Sequence, residues 1–177
     1  MPLTDSVTGL VRTLYTIPEL ERAANLMRGY DLVCLAAAGS GHAGGTLSIM
    51  DITAALYLSV AWHDPENPSW PQRDRIIWSA GHKAPALYLS LGMAGFYDID
   101  EVVKLRKFGS PFQGHPHWLK LPGVEASTGS LGQGLSIAVG MALGLRLDQN
   151  KESRVYCIMG DGEQQEGQIW EAVMEAG

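Results

Sequence analysis

The turn Gly160-Asp161-Gly162 combines the residue types that point most directly to chemistry. It follows an apolar run, 154–159, and precedes a helical pattern that begins near Glu166. Glycine lets a bulky ligand approach the backbone closely, and the N–H groups at a helix start suit phosphate oxygens. However, the helix dipole is worth only about 0.3–1 kcal/mol per charge, too little to hold a diphosphate beside an aspartate.

A divalent cation between the two anions removes that conflict. Mg²⁺ or Ca²⁺ binds carboxylate and phosphate oxygens together, which makes Asp161 the candidate metal ligand. The tripeptide alone is equally compatible with a tight turn that carries a surface aspartate. Other motifs must decide between these interpretations.

Three Gly-His pairs, which end at His42, His82 and His115, lie at the ends of predicted elements. Histidine can donate hydrogen bonds to anionic or hydroxyl oxygens near pH 7. A lone histidine is more often structural, but three in equivalent positions favour function. We assign no role to His63, which lies in a polar loop. His117 has no third ligand at a suitable spacing, which argues against a metal site there.

Periodicity in the apolar residues predicts the elements that must position these groups. Helices are predicted over 17–38, ended by Gly39, and after the Gly44-Gly45 pair, with 49, 52, 56 and 60 on one stripe. Further helices are predicted over 84–93 and 98–108, after Ser130 as N-cap, and from about 166. Buried strands are predicted over 75–79 and 154–159. The predicted packed face of the helix after Ser130 comprises Leu131, Leu135, Ala138, Val139, Ala142 and Leu143.

This alternation of helices and strands predicts an α/β fold with an open parallel sheet and helices on both faces. Ligands in such folds settle beyond the carboxyl ends of the strands. We expect a single domain over 1–177, since 46% hydrophobic content is enough for a core at this length.

Composition and charge exclude several kinds of partner. A net charge of -6 disfavours nucleic acid and anionic membranes, which bind basic surfaces. Neither a leader pattern at the N-terminus nor an apolar run long enough to span a bilayer is present in the sequence. Cys34 and Cys157 lie in apolar runs and are expected to be buried free thiols. We therefore expect a cytoplasmic protein.

Five segments together resemble consecutive signature segments of transketolase: 40–48, 80–91, 108–116, 123–144 and 160–172. The similarity runs from about residue 22 to the last residue. Members of this family bind thiamine diphosphate with Mg²⁺ or Ca²⁺. They transfer a two-carbon ketol unit from a ketose phosphate to an aldose phosphate. The resemblance implies the diphosphate-binding domain of the thiamine-diphosphate-binding fold.

The resemblance also implies a role for individual residues. Asp161 matches the metal-binding aspartate, and His82 matches a histidine at the diphosphate and the reaction centre. His42 and His115 match histidines that contact the reacting hydroxyl and carbonyl oxygens of the donor. The residues implied in cofactor binding are His82, Gly129, Ser130, Leu131, Gly160, Asp161, Gly162 and Glu163.

Some positions depart from the family or carry a second interpretation. Many members have proline where this chain has Ala43 and Ser130, and glutamate where it has His117, which leaves specificity open. Glu166 and Glu171 match glutamates near the family's subunit interface. Both are equally compatible with ordinary charges in a first helical turn, which the helix dipole favours.

The family's remaining metal ligands and its pyrimidine-binding domain match nothing in this sequence. The resemblance therefore implies a chain truncated at its C-terminal end, similar to the N-terminal subunit of split transketolases. It would need a pyrimidine-binding subunit or domain, in a homo- or hetero-oligomer with a dimeric core. Two alternatives remain: a synthase of the dihydroxyacetone or deoxyxylulose phosphate type with the same cofactor, or a non-catalytic assembly module.

Overall fold

A computed structural model of the chain describes residues 2–4, 11–13 and 15–177. Its first elements are two short antiparallel strands, β1 (Pro2–Thr4) and β2 (Val11–Thr13). The N-terminal segment, where a leader pattern would lie, includes residues 1, 5–10 and 14, which are outside the described residues.

Helix α1 (Ile17–Ala38) confirms the predicted first helix at both ends. At its start, the Thr16 N–H donates to the Glu19 carboxylate at 2.7 Å, and Pro18 occupies the first turn, where no N–H is needed. At its end, Gly39 adopts the left-handed conformation with φ 67°. That conformation is strained for residues with a side chain, so this glycine stops the helix.

The predicted second helix forms three short segments instead: α2 (Ala43–Leu47), α3 (Met50–Ala55) and one π-helical turn (Leu56–Val60). The prediction that 49, 52, 56 and 60 form a single stripe on one helix was therefore wrong. Ile49 and Leu56 are buried, whereas Ile52 and Val60 are exposed. The break between α2 and α3 and the wider π turn each shift the angular position of later residues, so one 3.6-residue period cannot continue through them.

A parallel pair of strands confirms the predicted α/β architecture. Strand β3 (Arg75–Trp78) lies parallel to β4 (Val155–Ile158). In the described part of the chain this pair forms the whole parallel sheet. The prediction that β4 is buried on both faces was wrong, because three of its four residues are only partly buried beside a single neighbouring strand.

Helix α4 (Ala84–Met93) has the predicted bounds, and eight of its residues are buried. The predicted helix over 98–108 is a shorter 3₁₀ segment, Ile99–Lys104. Val102 and Leu105 are buried there as expected, but Val103 is exposed.

Helix α5 (Gln133–Leu147) begins later than predicted, since Gly132 and not Ser130 precedes its first residue. Of the six residues predicted to pack, only Ala138 is buried, and Leu131 and Leu143 are exposed. Helix α6 (Gly167–Ala176) follows a 3₁₀ turn, Gly162–Gln165. Helix α5 contacts the two parallel strands and α6, which leaves its other side open to solvent.

The core lies mainly between α1, α3, α4 and the parallel strands, around Met27, Met50 and Tyr88. Cys34 is buried in this core and Cys157 is half-buried, so the prediction of two buried thiols holds fully only for Cys34. In the described residues, no helix combines the length and apolarity that a bilayer crossing requires.

Candidate functional site

Both segments that carry the main site residues leave the parallel sheet at the same edge. Residues 79–83 follow β3, and the turn at 160–162 follows β4. Gly160 brings them together: a Cβ atom placed on it would lie 3.8 Å from the Ala80 Cβ and 4.0 Å from the His82 Cε1. His82 therefore lies beside the turn, as the sequence predicted for two cofactor-binding positions.

Glu163 ties this edge together from inside the protein. Its side chain is only 1% exposed. One carboxylate oxygen accepts hydrogen bonds from the Ser79 hydroxyl at 2.5 Å and the Gly132 N–H at 2.7 Å. The other accepts from the Gly160 N–H at 2.9 Å. The carboxylate thus fixes the ends of both strands and the start of α5 relative to one another.

The outer side of the turn at 160–162 presents the Asp161 carboxylate and two backbone N–H groups to solvent. Asp161 and Gly162 are exposed, and no heavy atom lies within 4 Å of a Cβ placed on Gly162. Within the described residues, the N–H groups of Gly162 and Glu163 donate to no protein acceptor. A carboxylate beside free N–H groups and open space fits a diphosphate bridged by a divalent cation.

His42 and His82 form the centre of the histidine cluster. Their ring centroids lie 5.4 Å apart with the planes at 67°. His42 immediately precedes α2 and is exposed, whereas His82 lies in the 3₁₀ turn Gly81–Lys83 and is half-buried. The structure therefore brings together two histidines that are far apart in the sequence.

His115 joins the cluster through two glycines that allow close backbone contact. A Cβ on Gly81 would lie 2.8 Å from the Thr128 carbonyl carbon, so residues 128–129 pack directly on the turn that carries His82. A Cβ on Gly129 would lie 3.4 Å from the His115 ring. The Tyr88 hydroxyl lies 3.2 Å from the His115 carbonyl oxygen, which it can hydrogen-bond.

The segment predicted to cover the cofactor rings borders a cavity of about 240 Å³, lined by Ser127, Thr128, Gly129, Ser130, Gln133 and Ile137. The Thr128 hydroxyl donates to the Trp78 carbonyl oxygen at 2.5 Å and anchors the segment to β3. Ser130 and Leu131 are exposed, so their contacts with a ligand remain a prediction.

The surroundings of His82 favour its neutral form. Burial lowers the pKa of the imidazole below its ordinary value, and the nearby His42 and Lys83 lower it further, while Glu163 partly offsets them. At pH 7 a neutral imidazole carries one donor and one acceptor nitrogen. His82 can therefore both donate to an oxyanion and accept from a substrate hydroxyl.

His63 and His117 lie apart from this cluster. The His63 Nε2 is 2.7 Å from the Tyr57 carbonyl oxygen, and its ring packs against Phe96. The Leu119 N–H donates to the His117 Nδ1 at 3.3 Å. In the described part of the chain, no three histidine, cysteine, aspartate or glutamate side chains converge on one point. Any metal bound at Asp161 must take further ligands from phosphate, backbone or water oxygens, or from another part of the protein.

Sequence reasoning missed two features of this site, the side-chain role of Glu163 and the residue Lys83. Glu163 was predicted as a cofactor-binding residue, but its side-chain role was missed because its partner Ser79 lies 84 positions away and no local pattern shows the pairing. Lys83 directly follows His82 and is only 8% exposed. Its position next to a Gly-His pair is the one signal in the sequence that points to it.

Comparison with known proteins shows the family of the chain. Residues 20–177 match the family model described as transketolase, thiamine diphosphate binding domain. The chain belongs to the transketolase family. The resemblance on the five segments is thereby confirmed.

Two relatives of the chain within this family are named as subunits. It is 45% identical to the 6-deoxy-6-sulfo-D-fructose transketolase subunit SqwG of Clostridium sp. (strain MSTE9), over 90% of this chain and 58% of that protein. It is 42% identical to one subunit of the apulose-4-phosphate transketolase of Phocaeicola vulgatus, over 88% of this chain and 54% of that protein. The chain thus spans just over half the length of these curated relatives.

A solved transketolase shares the fold. The structure of the enzyme from Campylobacter jejuni superposes with a TM-score of 0.82 at 36% identity, over 89% of this chain and 26% of that one. The predicted fold, a diphosphate-binding α/β domain of the transketolase type, is confirmed.

Proposed function

We propose that this chain supplies the diphosphate-binding part of an enzyme that transfers a two-carbon ketol unit between sugar phosphates. One observation carries the proposal: the turn with the exposed Asp161 and the histidines 42, 82 and 115 lie together at the carboxyl edge of the parallel sheet. Family membership makes thiamine diphosphate the cofactor that this edge is suited to bind.

Each group at the carboxyl edge of the parallel sheet has a binding role that its chemistry allows. Asp161 would hold Mg²⁺ or Ca²⁺ against the diphosphate, and the free N–H groups of Gly162 and Glu163 would donate to phosphate oxygens. Thiamine diphosphate, when bound, supplies the nucleophilic carbon that carries the two-carbon unit. The neutral His82 would donate to the diphosphate and keep the second nitrogen available for the reaction centre.

His42 and His115 are the candidates for contact with the donor sugar. His42 is exposed within 5.4 Å of His82, measured between ring centroids, and His115 packs on Gly129. Both can donate to or accept from hydroxyl and carbonyl oxygens, which lets them orient the donor and move a proton at its hydroxyl.

A partner must complete such an enzyme. The two relatives are named as subunits, and this chain covers just over half of each. We infer that a pyrimidine-binding subunit or domain contributes the rest of the site within an oligomer that has a dimeric core. The two unpaired thiols, Cys34 and Cys157, support a cytoplasmic location.

Calorimetry with thiamine diphosphate and Mg²⁺ tests the proposal on the full-length chain in complex with its partner. The wild-type complex is expected to bind, and Asp161→Ala to weaken binding at least tenfold, because the metal loses its carboxylate. Asp148→Ala, at an exposed aspartate that follows α5, is the matched control and should bind normally. A folded wild-type complex that binds no cofactor would refute the proposal and favour a non-catalytic assembly module.

The names of the relatives leave the donor sugar open. One is named for a sulfonated fructose and the other for apulose 4-phosphate. Product analysis with a panel of ketose phosphates and a sulfonated ketose is therefore the second experiment. Ketol transfer to an aldose phosphate supports a transketolase. Products of the dihydroxyacetone or deoxyxylulose phosphate synthase reaction would support that alternative.

A further inference from the structure

Lys83 has a largely buried side chain, and its ammonium has no anionic partner in the described part of the protein. It ends the 3₁₀ turn Gly81–Lys83, immediately after His82, and is only 8% exposed. Among the described residues its ammonium forms no ion pair and donates to no acceptor. The ammonium is not among the fully buried polar atoms that lack a partner, so it stays within reach of a ligand from solvent. Charges in largely buried side chains are generally paired, which makes this unpaired lysine a candidate to bind an anion.

The side chain of Lys83 lies along the histidine cluster. A Cβ placed on Gly45 would lie 3.5 Å from the Lys83 Cε, 3.6 Å from its Cγ and 3.7 Å from the His82 Cδ2. Lys83 and His82 therefore pack side by side against the same glycine of α2. The ammonium also contributes to the lowered pKa of His82.

The acidic side chain that acts on His82 is already engaged in other hydrogen bonds. Among the described residues, Glu163 is the one acidic side chain that acts on His82, and both its oxygens already accept hydrogen bonds. His42 and His115 lower the pKa of His82, whereas Glu163 raises it. An oxyanion in this position would find a lysine donor that no protein carboxylate occupies.

Building on the proposed function, we propose that Lys83 is a phosphate-binding residue of this site. Its ammonium would donate to a phosphate oxygen of the cofactor's diphosphate or of the phosphorylated donor sugar. A lysine suits either, because a compact ammonium attracts phosphate from any direction and needs no fixed planar geometry. Its stem, held against Gly45, limits the positions that the charge can reach.

The test compares Lys83→Met, which keeps the stem and removes the charge, with Lys83→Arg, which keeps the charge. Both are made in the full-length chain in complex with its partner. Calorimetry measures the Kd of thiamine diphosphate with Mg²⁺ and of inorganic pyrophosphate with Mg²⁺. Steady-state kinetics measures the KM of a ketose phosphate and of the same ketose without its phosphate.

A loss of at least tenfold in cofactor and pyrophosphate affinity in Lys83→Met assigns the lysine to the diphosphate. A tenfold rise in KM for the phosphorylated ketose alone assigns it to the donor. In either case Lys83→Arg should recover part of the loss. Changes below twofold in all four quantities, in a variant with a native circular dichroism spectrum, would overturn the proposal.

A second variant and the pyrophosphate measurement keep the test decisive. If Lys83→Met does not fold, Lys83→Gln replaces it, because the amide can hydrogen-bond in a partly polar position. If the wild-type complex neither binds thiamine diphosphate nor turns over sugars, the proposed function has failed. Pyrophosphate binding by the wild type and its loss in the variant would then still support the anion site.

Discussion

At the scale of the residue, two acids near one turn face opposite environments. Asp161 is exposed beside free N–H groups, whereas Glu163 is buried and accepts three hydrogen bonds. The first is free to bind a cation, and the second is fully used in positioning the backbone. The difference follows from the 3₁₀ turn, which directs side chains two positions apart to different sides.

Replacing Glu163 by glutamine should destabilise the protein by about 2–3 kcal/mol. The amide group would point its N–H atoms at one of the three donors and leave buried groups unpaired. Urea unfolding measures the change. Glu166→Gln, at an exposed neighbour, is the control and should stay within about 0.5 kcal/mol of wild type. Equal stability of the two variants would mean that the buried carboxylate does not hold the three elements together.

His82 should titrate below its ordinary pKa of 6.5 in the folded protein, because burial and the charges of His42 and Lys83 oppose its protonation. NMR of the imidazole nitrogens gives the midpoint, and His82→Asn assigns the signal. Lys83→Met is expected to move the midpoint upward. A native midpoint at or above 6.5 would show that the ring is not desolvated as described.

The same shift has a consequence for stability. A lowered pKa means that the unfolded chain binds more protons at His82 than the native protein does, so the free energy of unfolding rises with pH. The contribution is complete above pH 6.5 and is lost as the pH falls toward the native pKa. Between pH 7 and pH 5 the wild type should therefore lose more stability than His82→Asn.

At the scale of the element, prediction succeeded where local signals determine the structure. Helix α1 carries Pro18, the Thr16–Glu19 pair and Gly39 at its ends, and all act within four residues. It failed at α5, where Ser130 resembles an N-cap but Gly132, with φ 82°, makes the turn into the helix. The Gly132 N–H bonds to Glu163, a contact that no local pattern can reveal.

Two glycines within α5 should respond in opposite ways to alanine. A Cβ on Gly134 would lie 2.4 Å from the Ser79 Cα, so Gly134→Ala must push the helix away from β3 and should cost about 1–3 kcal/mol. Gly140 has no heavy atom within 4 Å of the same position, so Gly140→Ala should stabilise the helix by about 0.5–1 kcal/mol. Thermal unfolding of both variants measures this, and a neutral Gly134→Ala would contradict the close contact.

At the scale of the whole molecule, the described chain leaves apolar side chains uncovered on its last two helices. Leu143 and Leu147 of α5 are exposed, as are Trp170 and Met174 of α6. Large apolar side chains exposed on two contacting helices can mark an interface. It accords with the proposed need for further structure, from the same polypeptide or a partner, to complete the enzyme.

Met174→Lys should weaken assembly of the complete enzyme. Met174 is 76% exposed, so the substitution should hardly change the stability of the chain itself, but a lysine would have to be buried without a partner on assembly. Sedimentation velocity of the full-length chain with its partner measures the effect. Glu175→Lys, at the adjacent exposed residue, is the control. Equal assembly of the two variants would place the interface elsewhere.

Much of the site could be predicted because its residues lie in short motifs. The histidines 42, 82 and 115 and the turn at 160–162 each follow a predicted element, and parallel strands bring such ends to one edge. The side-chain role of Glu163 and the burial of Lys83 could not be predicted, because both depend on packing between elements from different parts of the chain.

The pairing of Arg75 with Val155 also bears on how the protein reaches its native state. Contacts between residues so distant in sequence close a long loop, and their formation is slow and comes late in folding. Every hydrogen bond to the Glu163 carboxylate depends on that closure or on the turn beyond it. During synthesis, the affinity for the cofactor should therefore arise only after β4 has left the ribosome, and a nascent chain that ends before residue 155 should fold α1 but bind nothing.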